Sequence, residues 1–589
     1  MTQGPAGAPP VKKALRSQDW WTGKEYYNFA RRAWMRSEGF TPDVFENRPV
    51  IGICNSWSEL NNCNAHLRTV AEAVKRGVWR AGGFPLEFPT ISLGEMYLRP
   101  TSMLYRNLMS MDVEESIRAN PIDGVVLLCG CDKTTPAQLM GAASADLPAI
   151  VVTGGPMLSG QWRDRKLGAG TDGRKLFDLF RAGKLSEEEL CEVEGGIARS
   201  AGHCTVMGTA STMACVAEAL GMTLPGCAAI PAPDSRRLMI AEQSGQRIVD
   251  MVWEDLRPSR IMTREAIENA ITIDMAIGGS TNAVVHLLAI AGRLGIDLKL
   301  EEFDRISRRT PCIVNLKPSG EYLMEDFFAA GGVPAVVNEI RPLLKIDAST
   351  VNGKTLGENA GGAQCWNRDV IRTAADPLSD EGGTVILGGN LAPRGAVIKH
   401  TAASPHLLQH RGKAYVFENY GEMHEAIDSS GLEVTEDSVL VMKNCGPKGA
   451  PGFPEWGQIP MPRVLLDRGV RDVVRISDAR MSGTSFGTVV LHVAPESAIG
   501  GPLAAVQSGD EVELDVAGRQ LTLHVPDHEI ALRLESRKET PAHYDRGYGW
   551  MFLRHVNQAD EGCDFDFLRK RYAPGSRTRI KNPDHEPGS

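Results

Sequence analysis

The chain has 589 residues, of which 42% are hydrophobic and 23% are charged. A chain of this length is too large for one core and divides into two or three large domains, and its composition excludes a disordered or fibrous protein. Lys and Arg number 64 against 73 Asp and Glu, a formal net charge of −9, which argues against a nucleic-acid partner or an anionic membrane.

Short apolar runs alternate with helical patterns between about residues 49 and 375. Buried strands are predicted at 50–54, 124–129 and 149–153, and helices at 66–81 and from Pro136. Strands that alternate with helices in this way indicate a parallel sheet covered by helices on both faces. We therefore predict an α/β domain over residues 1–380.

The pattern changes after residue 380, where long helices become scarce. Strand-like runs occur at 385–387, 414–417, 439–442, 473–476 and 489–493. Residues 512–525 alternate apolar and polar on either side of a turn, which predicts a hairpin. We predict a mostly-β second domain over residues 381–589, closed into a barrel that leaves no exposed edge, with a mobile tail at 573–589.

Targeting patterns and cysteine positions in the sequence bear on the location of the protein and on how it could bind a metal. No run approaches the roughly 18 apolar residues of a membrane helix, and the first ten residues lack the pattern of a secretory signal, so a cytoplasmic protein is expected. The 12 cysteines are scattered and form no Cys-x-x-Cys pair. A cysteine metal site therefore has to be assembled from distant segments.

Three cysteines lie in loops of the kind that join a buried strand to a helix. Cys131 follows the strand at 124–129, Cys63 follows the strand at 50–54, and Cys204 precedes a glycine-rich turn into a helix. Ligands of α/β sheets bind where such loops converge. Taken singly, each cysteine is more often a structural residue, and Asp132 and Lys133 are equally well explained as a surface ion pair. Together the three cysteines predict a three-thiolate metal site.

Small and polar loops elsewhere are candidates for substrate contact. Ser280, Thr281 and Asn282 follow two glycines and begin a helix, where free N–H groups can bind a carboxylate or a phosphate. In the second domain, the loops at 443–455 and 477–484 suit a site at the domain interface. A plain helix cap or turn is the alternative interpretation of each loop.

Together these motifs resemble one family, the IlvD/Edd dehydratases, which comprises dihydroxyacid, phosphogluconate and aldonic (sugar) acid dehydratases. The resemblance covers about residues 49–568, and its most specific parts lie at 131–133, 152–157, 207–212, 278–282 and 476–483. The sequence of residues 475–484 resembles that of the pentonate dehydratases, such as L-arabinonate or D-xylonate dehydratase, more than that of dihydroxyacid dehydratase. Dihydroxyacid dehydratase tends to have Gly-Arg-Phe-Ser at the positions of 479–482.

The resemblance implies a role for individual residues. It implies that a 2Fe-2S cluster is bound by Cys63, Cys131 and Cys204. It implies that Ser482 is the catalytic base and that a Mg²⁺ ion is surrounded by Glu95, Asp132, Glu455 and a carbamylated, catalytic Lys133. Substrate contacts are expected from Ser280, Thr281, Asn282, Thr484, Arg480 and Lys448. The implied fold is an α/β domain and a β-barrel domain with the site between them, in a homodimer or homotetramer.

The residue chemistry suits these expectations. Four thiolates usually saturate such a cluster, so three leave one iron with an open position for Lewis-acid chemistry. Oxygen ligands suit Mg²⁺, a hard ion. The expected reaction is that of a hydro-lyase, which removes water from a 2,3-dihydroxy sugar acid, either a pentonate or a hexonate, to give a 2-keto-3-deoxy sugar acid.

Two alternatives remain open. The chain could be a dihydroxyacid dehydratase of branched-chain amino-acid synthesis, or a non-catalytic iron–sulfur redox sensor. One departure from the sugar-acid branch concerns Asn61 and Asn62, which stand where that branch usually has Thr-Pro before the first cluster cysteine. The sequence leaves the substrate, its stereochemistry and the number of irons undetermined, since three thiolates could also hold a 4Fe-4S cluster.

Overall fold

The computed structural model describes residues 14–537 and 540–569. Its N-terminal part contains a wholly parallel, four-stranded sheet in the order β2-β1-β3-β4. The strands are β1 (Val50–Asn55), β2 (Phe84–Pro89), β3 (Gly124–Cys129) and β4 (Ala149–Thr153). Every residue of β1, β3 and β4 is buried, so both faces of the sheet are covered, as expected for strands that are continuous apolar runs.

Helices and one short hairpin make up the rest of this part. The hairpin strands are β5 (Gly160–Trp162) and β6 (Arg165–Leu167). The helices are α1 (Gln18–Trp21), α2 (Tyr26–Ser37), α3 (Leu67–Arg80), α4 (Arg106–Ala119), α5 (Thr134–Ala145), α6 (Thr171–Arg181), α7 (Glu187–Ile197), α8 (Thr209–Ala219), α9 (Ser235–Glu254), α10 (Pro258–Ile261), α11 (Arg264–Ala276), α12 (Asn282–Leu294), α13 (Leu300–Ser307), α14 (Met324–Ala330), α15 (Gly332–Glu339) and α16 (Leu356–Ala360). Helix α9 packs on α3, β3 and β4, and α12 packs on α5.

The second part is built on an eight-stranded mixed sheet in the order β14-β13-β9-β10-β11-β12-β8-β7. The four strands β9 to β12 run parallel, and the outer pairs are antiparallel. The strands are β7 (Val385–Leu387), β8 (Ala396–Ile398), β9 (Gln409–Phe417), β10 (Val439–Met442), β11 (Arg475–Ser477), β12 (Val489–Leu491), β13 (Glu511–Asp515) and β14 (Gln520–Leu523). Its helices are short: α17 (Tyr420–Ala426), α18 (Arg463–Asp467), α19 (Asp527–Glu535) and α20 (Gly547–His555).

The two edges of this sheet meet. Gly388, directly after β7, pairs with Gln520 of β14, and the Leu521 N–H donates to the Gly388 carbonyl oxygen at 2.7 Å. The sheet is thus nearly closed into a barrel. Val439 and Val441 of β10 belong to one apolar cluster, whereas Leu440 and Met442 pack in another, as the two-residue period of a strand requires.

The predicted fold class is confirmed: an α/β N-terminal part with a parallel sheet precedes a mostly-β barrel. The helix predicted from Pro136 begins at Thr134, and the strand predicted at 473–476 lies at Arg475–Ser477. The division at residue 380 stays a prediction; Ser379, just before it, pairs with Cys312 of the first part. The predicted mobile tail lies outside the described residues.

Among the described helices, none combines the length and the apolar character that a membrane crossing requires.

Candidate active site

Three cysteine-bearing loops meet at the carboxyl edge of the parallel sheet. Cys131 comes directly after β3, and Cys63 follows β1, which is the neighbouring strand. The Gly202 N–H donates to the Asn62 carbonyl oxygen at 3.1 Å, which brings the loop of Cys204 beside that of Cys63. Adjacent parallel strands end at the same edge of a sheet, so the topology itself gathers these loops.

The three thiols lie close enough together that the pKa values of Cys63 and Cys204 are affected. A hydrogen bond with Cys131, together with burial and the nearby Cys204 and Asp132, raises the pKa of Cys63 well above its usual range. Burial, with the charges of Asp132 and the neighbouring groups, raises the pKa of Cys204 to about 12. Such thiols stay protonated until a cation binds, and thiolates are the ligands that iron–sulfur clusters use. The structure brings the three cysteines together, and their role as ligands stays a prediction.

Three carboxylates converge on the amine of Lys133, whose side chain is completely buried. Its Nζ lies 3.3 Å from Asp132 Oδ2, 3.5 Å from Glu455 Oε1 and 3.6 Å from Glu95 Oε2. Asp132 comes from the loop after β3, Glu95 from the segment after β2, and Glu455 from the second part of the chain. We call these four residues the carboxylate cage. The interpretation of Asp132 and Lys133 as a surface ion pair is therefore wrong.

Burial and mutual charge set the protonation of the cage. Burial and Arg480 act to lower the pKa of Lys133, but the three carboxylates outweigh them and hold it above its usual value. Burial acts to raise the pKa of Glu95, but Lys133 and Arg480 outweigh it and hold that pKa low. Burial dominates at Glu455 and raises its pKa. Lys133 is thus a cation that balances carboxylates buried between the two parts of the chain.

The donor atoms suit a soft metal at the thiols and a hard one at the cage. In the described ranges, no group of three or more His, Cys, Asp or Glu side chains is arranged to hold a metal ion as it stands. In the cage, the Lys133 ammonium contacts all three carboxylates. If carbon dioxide converted this amine to a carbamate, the cage would consist of anionic oxygens, which Mg²⁺ prefers.

Arg480 and Asn282 connect the cage across the domain boundary. The fully buried guanidinium of Arg480 donates to Glu455 Oε1 at 3.0 Å, Asn282 Oδ1 at 3.1 Å and Thr101 Oγ1 at 3.2 Å. It also donates to the Phe453 carbonyl oxygen at 2.7 Å. These bonds orient Glu455. The predicted contact of Arg480 with substrate hydroxyls stays a prediction.

The predicted base, Ser482, lies on a loop that packs against the N-terminal part of the chain. Ser482 Oγ is 3.0 Å from Thr484 Oγ1. Between them, a Cβ added at Gly483 would lie 2.5 Å from Thr209 N and 2.7 Å from Ser280 Oγ, so only glycine permits this approach. The loop therefore rests on the N-terminus of α8 and beside the loop that begins α12.

The other predicted contact residues have different surroundings. Ser280 is buried, with its Oγ 2.9 Å from Thr209 Oγ1, while the buried Thr281 Oγ1 has no hydrogen-bond partner within the described part of the chain. Lys448 is half-buried, and its backbone N–H donates to the Glu496 carboxylate at 2.9 Å. Substrate binding by these residues and by Thr484 remains a prediction.

Three further residues, which the sequence does not predict, lie beside the residues of the site. Thr101 Oγ1 donates to Glu95 Oε1 at 2.9 Å. Arg106 and His286 are fully buried and lie 3.1 Å apart, between Nη1 and Nδ1. The four-residue spacing of Asn282 and His286, which places both on one face of a helix, is a signal that could have identified His286.

Comparison with known proteins identifies the family of the chain. Residues 48–359 match the family described as dihydroxy-acid/6-phosphogluconate dehydratase, N-terminal, and residues 369–563 match its C-terminal counterpart. The chain belongs to this dehydratase family. The family uses a metal cluster and magnesium.

Individual dehydratases match over nearly their whole length. The chain is 54% identical to L-arabinonate dehydratase of Rhizobium leguminosarum bv. trifolii (strain WSM2304), over 95% of this chain and 96% of that protein. It is 48% identical to 6-deoxy-6-sulfo-D-gluconate dehydratase of Pseudomonas putida, over 94% and 96%. Identity to dihydroxy-acid dehydratase of Caldicellulosiruptor saccharolyticus is 41%, over 92% and 98%. The resemblance to the sugar-acid branch and the assignment as a hydro-lyase are confirmed.

Proposed function

We propose that this dehydratase removes water from a 2,3-dihydroxy sugar acid, a pentonate or hexonate, and releases a 2-keto-3-deoxy sugar acid. The observation that carries the proposal is the convergence of Glu95, Asp132 and Glu455 on buried Lys133, with carboxylates contributed by both parts of the chain. The greater identity to sugar-acid dehydratases than to a dihydroxy-acid dehydratase supports the substrate class.

We assign the cofactors by donor chemistry. Cys63, Cys131 and Cys204 would hold the 2Fe-2S cluster, and the cage, with Lys133 carbamylated, would hold Mg²⁺. The chemistry these groups supply when bound is Lewis-acid stabilisation of the hydroxide that leaves C3 and of the charge that develops at C1 and C2. Quantitation of iron and sulfide, with an anaerobic absorbance spectrum, distinguishes 2Fe-2S from 4Fe-4S.

We assign the removal of the proton at C2 to Ser482. A serine hydroxyl is a weak base at its ordinary pKa, so the site has to favour its anionic form. Hydrogen bonds to the anion have that effect, and Thr484 offers its hydroxyl at 3.0 Å and its N–H at 3.4 Å. Ser482 Oγ would take the proton from C2 as the C3–O bond breaks. The enol that forms tautomerises to the keto acid without further help.

The test is an anaerobic assay of the purified protein on a panel of pentonates, hexonates and the branched dihydroxy acid. We expect keto-acid formation from at least one sugar acid. Activity restricted to the branched acid would instead identify a dihydroxyacid dehydratase. Ser482→Ala should retain iron and lose turnover by at least about 100-fold. If the wild-type protein binds iron and dehydrates none of the acids, the redox-sensor alternative is favoured.

The assembly proposed for this enzyme rests on the resemblance, whereas its location and the absence of nucleic-acid and membrane partners rest on the composition and charge of the sequence. We propose a homodimer or homotetramer in the cytoplasm, with no nucleic-acid or membrane partner. Light scattering coupled to gel filtration measures the assembly, and a monomeric mass for the active enzyme would contradict it.

A further inference from the structure

Helix α12 carries a buried histidine that the proposed reaction leaves unused. His286 lies one turn after Asn282, whose Nδ2 is 3.4 Å from Glu455 Oε1 of the cage. Residues four apart share one face of a helix, so His286 points to the same side as Asn282. Helix α12 also packs on α5, which begins directly after Lys133. His286 is therefore enclosed beside the cage, with none of its surface exposed.

Arg106 determines the tautomer of His286. Burial lowers the pKa of Arg106 only to about 10, so it is a cation at neutral pH. Burial and the charge of Arg106 lower the pKa of His286 well below its usual range, so its ring is neutral. A guanidinium has donors only, and its Nη1 lies 3.1 Å from His286 Nδ1. Nδ1 is thus the acceptor, and the ring proton is on Nε2.

Among the residues that the structure describes, none accepts a hydrogen bond from the N–H at Nε2. A buried donor without an acceptor is costly, and native proteins rarely leave one. The other groups that act on the His286 ring are Lys133, Arg480 and His492. Arg480 and the Lys133 ammonium are donors only, and His492, whose neutral ring offers an acceptor nitrogen, makes no hydrogen bond with His286. Lys133 differs because its chemistry can change: a carbamate on Nζ has oxygens that accept hydrogen bonds.

We propose that His286 Nε2–H is the hydrogen-bond donor for the carbamate that forms on Lys133, and that Arg106 holds His286 in the required tautomer. The inference rests on the proposed function, which includes that carbamate. Lys133 Nζ, once it has lost a proton, attacks the carbon of carbon dioxide, the N–C bond forms, and one C=O π pair moves to oxygen. The two protons lost from the ammonium pass to the neighbouring carboxylates and then to solvent.

This assignment makes His286 a positioning residue. It contacts the group on Lys133 and not the substrate. Arg106 is itself held by the carbonyl oxygens of Gly562 at 2.9 Å and Cys563 at 2.8 Å, so the orientation of His286 depends on the C-terminal segment. The donor would stabilise the carbamate over the free amine, and its loss should weaken the uptake of carbon dioxide.

The experiment measures carbamate formation directly, by ¹³C NMR of the full-length protein with Mg²⁺ and increasing ¹³C-bicarbonate. Lys133→Ala identifies the resonance of the carbamate. His286→Phe removes both ring nitrogens, and His286→Asn keeps an amide only near the Nδ1 position. His286→Gln can place an amide donor near the Nε2 position. His492→Asn is the matched control, because His492 is also buried beside Arg480 and neither of its nitrogens bonds to any described residue.

We expect His286→Phe and His286→Asn to need about tenfold more bicarbonate for half-saturation, the factor expected for one lost hydrogen bond to a charged group. His286→Gln should stay within about threefold of the wild type, as should His492→Asn. If Phe does not fold, the comparison of Asn with Gln carries the same test.

The experiment distinguishes failure of this inference from failure of the proposed function. Wild-type affinity for bicarbonate in both His286→Phe and His286→Asn would overturn the inference and leave the proposed function intact. Absence of a Lys133-dependent resonance in an active wild-type enzyme would overturn the carbamate and the inference with it. A normal resonance in a wild-type protein that dehydrates no sugar acid would overturn the proposed function alone.

Discussion

Gly483→Ala should separate folding from catalysis at the domain interface. The added Cβ would lie 2.5 Å from Thr209 N and 2.9 Å from Gly208 C, both backbone atoms at the start of α8, and 2.7 Å from Ser280 Oγ. Backbone at a helix start cannot yield without moving the helix, so the loop that carries Ser482 has to move outward. Overpacking of this kind costs about 1–3 kcal/mol. A displacement of about 1 Å at a catalytic group reduces the rate by about 100-fold.

The assay compares keto-acid formation and thermal unfolding of Gly483→Ala with those of the wild type. Gly195→Ala is the matched control, because a Cβ there meets no atom of the described residues within 4 Å and the site is in helix α7. We expect the control to keep full activity and to gain up to about 1 kcal/mol from helix propensity. If Gly483→Ala retains activity within about threefold of the wild type, close packing does not position Ser482, and this reasoning is wrong.

Three further changes test other parts of the molecule. Asp564→Asn should cost about 3–5 kcal/mol by calorimetry, because it weakens a fully buried ion pair whose partner, Arg293, lies at 2.6 Å; a loss below about 1 kcal/mol would contradict this. Cys63→Ser should lower the iron content of anaerobically purified protein, whereas exposed Cys191→Ser should not. Burial raises the pKa of Asp274 to about 8, so the folded state keeps a proton that the unfolded chain releases above about pH 4, and stability falls by up to about 1.4 kcal/mol per pH unit between these values. Asp274→Asn should therefore raise the melting temperature more at pH 8 than at pH 5, and an equal rise at both would contradict the shift.

Much of the fold followed from local patterns. The strands at 124–129 and 149–153 were predicted with their observed bounds, because residues buried on both faces leave an unbroken apolar run. Strand β11 begins later in the chain than predicted. Val473 and Val474 are apolar and buried, but they precede the residues that pair with the neighbouring strands. Its bounds depend on hydrogen bonds with β10 and β12, which lie elsewhere in the chain.

For the candidate site, the amino-acid order alone placed Cys63, Cys131 and Cys204 in loops that follow strands or precede helices, and parallel topology then brings such loops to one edge. It could not show that Lys133 is buried among three carboxylates, since a Lys beside an Asp has the same local pattern on a surface. Only tertiary packing revealed that Arg480 holds Glu455 and that His286 has an unused donor. Burial and hydrogen-bond partners are properties of distant segments in contact, and no local spacing encodes them.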